Sequence, residues 1–126
     1  MANNELAARS DARLQATLDQ ADDKQEALTW IKQAGKPCFI GESSENLTAA
    51  DSLRLIERLY EHGSTQVVAI DIEDAGPIES TSTLIVALPD SEPQREAIFA
   101  IESEIASQGG FDGTPDYGQR YLMLHW

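Results

Sequence analysis

Residues 65–88 read "TQVVAIDIEDAGPIESTSTLIVAL", and the fold turns on how they pair. "TQVVAIDIE" is rich in β-branched residues, "STLIVAL" likewise, and "DAGPIES" between them is made of turn-forming residues. Two strands so close in sequence predict an antiparallel hairpin. Alternation along the first strand sets Val68, Ile70 and Ile72 on one side, against Val67, Ala69, Asp71 and Glu73 on the other. The second strand sets Leu84, Val86 and Leu88 on one side.

On both sides of this hairpin the hydrophobic period changes from two to that of a helix. "NLTAADSLRLIERLYEHG" places Leu53, Ile56, Leu59 and Tyr60 on one stripe. Thr48 and Asp51 have capping-box spacing at its start, and Gly63 is the expected stop. After Pro89, "DSEPQREAIFAIESEIASQGG" carries the stripe Ala97, Ile98, Ile101 and Ile105. Ser91 and Gln94 have capping-box spacing there, Pro93 lies in the first turn, and Gly109 and Gly110 end the helix. Farther out, "KPCFIG" is a short apolar run before the first of these helices, and "QRYLMLHW" follows the second as an alternating strand.

From residue 36 the order is therefore strand, helix, strand, strand, helix, strand. This predicts an α+β fold of the ferredoxin-like (split βαβ) type, an antiparallel sheet with two helices on one face. In that arrangement the last strand lies beside the first, at a sheet edge. Residues 1–35 form an N-terminal helical extension, as one kinked helix or two, with Asn3 or Asn4 capping the first. Leu14, Leu18 and Ala21 share one face, and Ala27, Leu28, Ile31 and Ala34 a second. The sheet face away from the two helices is expected to carry Val67, Ala69, Ile85, Ala87, Tyr121 and Met123, with Cys38 or Ile40. It is too apolar to stay wet. The N-terminal helices, a second copy stacked sheet to sheet, or a ligand or partner are the three ways to cover it.

Composition narrows the function classes. The chain has 126 residues, 41% hydrophobic and 25% charged, with no apolar run long enough to span a membrane. The start lacks the layout of a signal peptide, and the lone Cys38 permits no intrachain disulfide, so a cytoplasmic location is expected. The acceptor-like "NLT" at Asn46 is then read as chance. Net charge is −13, of which −10 falls in residues 59–126, where Arg95 and Arg120 are the only cations beside twelve acids. Such a surface repels phosphate backbones and suits a basic protein partner.

Chemistry-bearing residues are sparse. "DIED" puts Asp71 and Glu73 on one side of a strand, where carboxylates bind divalent cations, do acid–base work, or guard an edge against aggregation. Asp116, Arg120, Tyr121 and His125 lie in the last loop and strand and could join them in a binding site. Arg120 suits an ion pair with Asp112, Asp116 or Glu73, or a carboxylate ligand. Cys38 reads as a buried inert thiol, His62 as a helix-end residue, and Ser43, Ser44, Ser80 and Ser82 as turn residues without a nucleophile elbow. No cofactor, metal set or catalytic constellation is implied. The expected function is a non-catalytic binding or regulatory module acting through protein–protein contacts. The alternative is a metal-assisted enzyme or small-ligand site around Asp71, Glu73, Asp116, Arg120 and His125.

Overall fold

The computed structural model describes residues 2–33, 35–41 and 47–126, with side chains from Glu5 onward. Ala34, Ser43, Ser44, Asn46 and the side chains of Asn3 and Asn4 lie outside the described residues. The chain is α+β. Its elements are α1 (Ala2–Gln20), β1 (Gln25–Glu26), α2 (Ala27–Ile31), β2 (Cys38–Ile40), α3 (Ala49–Glu61), β3 (Gln66–Ile70), β4 (Glu73–Asp74), β5 (Glu79–Thr81), β6 (Thr83–Ala87), α4 (Glu92–Gln108) and β7 (Tyr121–His125).

The hairpin of residues 65–88 forms with one continuous register. β3 pairs antiparallel with β6, from Gln66 opposite Ala87 to Ile70 opposite Thr83, and β4 continues the same pairing with β5. Sheet membership changes midway. The base of the hairpin belongs to a four-stranded sheet ordered β1-β3-β6-β7, and its tip to a small mixed sheet ordered β2-β5-β4. At the break Asp71 adopts a positive φ of 51°. The buried Thr81 hydroxyl fills the gap, donating to the Ile70 carbonyl and accepting from the Thr83 N–H at 3.2 Å.

The strand order differs from the ferredoxin-like expectation. β7 lies at a sheet edge, but it pairs with β6 instead of Cys38–Ile40. β2 is only three residues long and pairs parallel with β5, so it occupies half of one edge of the Glu79–Ala87 strand. β7 occupies the other half. The two meet at Ser82: the Gly41 N–H donates to Thr81 O at 2.8 Å, and the Trp126 N–H to Ser82 O at 2.9 Å. A longer first strand would have displaced β7.

Cross-strand partners share a face, and this corrects a second expectation. Val67 sits opposite Val86 and Ala69 opposite Leu84, so Val67 and Ala69 join Leu84, Val86, Leu122 and Leu124 in the main core. That core is closed by Leu55, Ile56 and Leu59 of α3, Ile98, Phe99 and Ile101 of α4, and Trp30 of α2; Cys38 and Ile40 lie in it too. The opposite face presents Val68, Ile70, Ile85, Tyr121 and Met123, and Leu14 and Leu18 of α1, with Ala21 just after the helix, pack on it. The sheet is thus a filled layer between α1 and the other helices.

Local chemistry fixes the elements. Thr48 Oγ1 accepts the Asp51 N–H at 3.0 Å, and Gly63 ends α3 with φ +94°. A Cβ on Gly63 would lie 2.5 Å from the side chain of Gln94. Gln94 is packed there, and Ser91 makes no side-chain cap bond, so the second capping box is absent. Residues 27–31 are tied in by Glu26. Its carboxylate accepts the Leu28 and Thr29 N–H groups at 2.9 and 2.8 Å and the Tyr60 hydroxyl, which itself accepts the Val67 N–H at 3.0 Å. Burial works to raise the Glu26 pKa, but the donors from Tyr60, Leu28 and Thr29 outweigh it and hold it below the ordinary value. Burial, then the bond to Glu26, pushes Tyr60 up to about 12.

The single thiol is enclosed. Cys38 is 1% exposed, donates to Trp30 O at 3.4 Å and accepts from Gln33 Nε2 at 3.1 Å. Burial raises its pKa, which keeps it protonated and unreactive.

Candidate functional site: an acidic cleft at the hairpin tip

The distal half of the hairpin is short of apolar residues and carries Asp71, Glu73 and Asp74 on its outer arm, all exposed. The turn at the tip closes with the Ala75 N–H on Ile78 O at 2.9 Å, and Asp74 Oδ1 accepts the Gly76 N–H at 2.9 Å. The Ile72 N–H donates to Asp23 O at 3.1 Å, which draws the α1–β1 connection against this arm. Between them lies a cleft of about 300 Å³, lined by Asp22, Asp23, Lys24, Gln25, Ile72, Asp74 and Glu79.

Four acidic residues line this cleft, and their engagements differ. Asp74 receives Lys36 Nζ at 2.7 Å, and Lys36 also lies 3.7 Å from Glu79. The bond from Lys36, followed by that from the Gly76 N–H, holds the Asp74 carboxyl below its usual range, and Asp74 in turn raises Lys36. Glu79 Oε1 accepts Trp30 Nε1 and Gln33 Nε2, each at 3.1 Å, so it is chiefly a structural anchor of α2. Lys24 donates to the carbonyl of Leu18. The exposed side chains of Asp22 and Asp23 have no ion-pair partner among the described residues and remain available to a cation.

The sequence reading named Asp71 and Glu73, which lie on the same arm as Asp74 but outside the lining of the cleft, and it missed Asp22, Asp23 and Glu79. A signal was present for the first two. Acids directly after a helix oppose its dipole, and α1 has no basic residue in its last turn. A local choice against the helix is what a binding surface would produce.

The other expected site residues are held apart. Asp116 is bound bidentately by Arg95, at 3.1 Å through Nε and 2.7 Å through Nη2. Arg95 also donates to Pro89 O and Gln119 O at 3.2 and 2.9 Å and lies over the Phe99 ring at 5.7 Å. The Arg95 bond holds the Asp116 carboxyl below its usual range, against burial. The ion-pair partner of Asp116 is therefore Arg95 of α4, whereas Arg120 lies 5.6 Å over the Tyr121 ring. The Tyr121 hydroxyl donates to Gln15 Oε1 at 2.9 Å, and His125 Nδ1 meets Thr83 Oγ1 at 3.0 Å. The loop of residues 109–120 is pinned further by Glu102, which accepts the Thr114 N–H at 2.7 Å, and by the buried Gln119. Asp71 and Glu73 lie on the far side of the β5–β6 strand from β7. Among the described residues, no three His, Cys, Asp or Glu side chains are grouped to hold a metal ion, and no helix is long and apolar enough to cross a membrane.

No protein-family model, curated protein or solved structure matches this chain.

Proposed function

We propose that the chain is a non-catalytic binding module that docks a basic segment of another protein at the hairpin tip. The cleft carries the reading: Asp22, Asp23, Asp74 and Glu79 line it together with Ile72, and Asp71 and Glu73 are exposed on the same arm. Lysine and arginine side chains would meet carboxylates there, while their methylene stems lie along Ile72. The excess negative charge of residues 59–126 would draw such a partner from a distance and raise its association rate. The same field disfavours nucleic acid.

Fluorescence anisotropy with a labelled Lys- and Arg-rich peptide tests this. Binding is expected at low salt and should weaken steeply at high salt. Asp22→Asn combined with Asp23→Asn should weaken it several-fold more than Glu96→Gln combined with Glu104→Gln, a charge-matched neutralisation of two exposed acids on helix α4. Equal losses from both would reduce the interaction to net charge alone, and the cleft would have no part in it.

A further inference from the structure

The two faces of the four-stranded sheet are covered with unequal strength. On one face α2, α3 and α4 all pack, and Trp30, Ile56, Leu59 and Ile98 are fully enclosed. On the other the cover is α1. Among its described residues Leu14 is the one large side chain that is buried; Leu18 is half-buried and Leu6 exposed. Polar groups supply much of the remaining hold. The Asp11 carboxylate accepts the Arg120 N–H at 2.9 Å and the Tyr121 N–H at 3.1 Å, and Gln15 Oε1 accepts the Tyr121 hydroxyl at 2.9 Å.

The chain that follows α1 is anchored without its help. The Ile72 N–H holds Asp23 O at 3.1 Å, and β1 pairs with β3 from Gln25 opposite Ala69. Residues 21–24 are therefore a fixed pivot. Lifting α1 about it breaks the Asp11 and Gln15 bonds and uncovers Ile70 and Ile85, while α2, α3 and α4 stay on the main core. A 19-residue helix is marginal in water by itself, so α1 unwinds when it leaves the sheet. Asp19, Asp22 and Asp23 crowd the negative end of its dipole and favour that open state; Lys24, on the Leu18 carbonyl, opposes them. We infer that α1 is a hinged cover that opens as a unit on the folded sheet, with Asp11 as its clasp and the charge at Asp22 and Asp23 setting how often it opens. On the reading of the cleft proposed above, a cation docked at Asp22 and Asp23 closes the cover as neutralisation of those acids does. The cover itself does not depend on that reading.

Native-state hydrogen exchange of the full chain, read by NMR in low denaturant, tests this without any peptide present, so the result is independent of whether the cleft binds one. The amides of residues 7–18, with those of Arg120 and Tyr121, are expected to share one opening equilibrium and to exchange faster than β3 and β6. Ile98→Val, a mild change in the main core, should speed exchange in β3 and β6 several-fold and leave the α1 set unchanged, because Ile98 stays packed when α1 lifts. Asp11→Ala should speed the α1 set about tenfold. Asp22→Asn with Asp23→Asn should slow it several-fold. The hinged cover is overturned if the α1 set exchanges only together with β3 and β6, if Ile98→Val speeds both alike, or if α1 loosens residue by residue from its N-terminus. An unchanged rate in Asp11→Ala overturns the clasp, and an unchanged rate in the double Asp variant overturns control by charge.

Discussion

The base of the hairpin, β3 with β6, and its tip, β4 with β5, share one register and differ in what covers them. At the base both faces are apolar, and helices close over both: α1 on Ile70 and Ile85, and α3 with α4 on Ala69, Leu84 and Val86. At the tip the same ladder carries Asp71, Glu73 and Asp74 into solvent. Backbone pairing alone does not decide burial. The side chains either recruit a covering layer or repel one, and the switch occurs within the two residues after Ile70.

The comparison can be broken most severely at the base. Deleting residues 121–126 strips β6 of one of its two partners and removes Leu122 and Leu124, 2% and 0% exposed, and should abolish cooperative unfolding by circular dichroism. A truncated chain with an unchanged Tm would refute the observed sheet order. Leu124→Ala, the milder form, should cost about 2–5 kcal/mol in chemical denaturation. Next comes the brace of the long loop. Arg95→Ala loses a bidentate carboxylate bond, two carbonyl bonds and the stacking on Phe99, and should cost about 2–3 kcal/mol. Arg95→Lys should not rescue it, because an ammonium lacks the planar fork.

Glu26 sharpens the comparison from the side of pH. Its folded pKa lies below the ordinary 4.5, so its contribution is present above that value and is lost as pH falls through the folded pKa. Glu26→Gln should therefore lower stability at neutral pH and flatten the acid limb of the stability curve below about pH 4.5. A variant with an unchanged acid limb would mean that the Tyr60 and Thr29 contacts carry no differential protonation energy. The smallest effects belong to the tip. Asp71→Asn should change stability by less than about 0.5 kcal/mol, as exposed substitutions do. Asp71→Val should cost about 1–2 kcal/mol, because a β-branched residue resists the positive φ of 51°.

What the sequence disclosed follows the same division. The hairpin, α3, α4 and β7 were legible because each repeats its apolar residues at one period over five or more positions. Strand order was not, because it depended on how much edge the three residues of β2 could hold, a competition that no local pattern expresses. The facing of Val67 and Ala69 was misread for a related reason. A shift of one residue in register exchanges the two faces of a strand, and both faces here are apolar. The α1 cover was anticipated from Leu14 and Leu18, as one of three ways to close that face. The cleft itself was scarcely legible. Asp71 and Glu73 stood out in the sequence but lie on the same arm outside the lining, while Asp22 and Asp23 became neighbours of that arm only through the bond from Ile72 to the carbonyl of Asp23, across 49 residues of sequence. Glu26 and Tyr60, 34 positions apart, gave no local sign of their bond.

Cys38 has a consequence of another kind. It is the single thiol of the chain, at 1% exposure, and ionisation is disfavoured while it stays buried. An alkylating reagent can reach it only when the small sheet or α2 parts from the core. Its modification rate under native conditions is therefore a clock for that parting. If labelling keeps pace with global unfolding, the hairpin tip opens only when the whole molecule does. If it runs ahead, the tip breathes as a unit of its own.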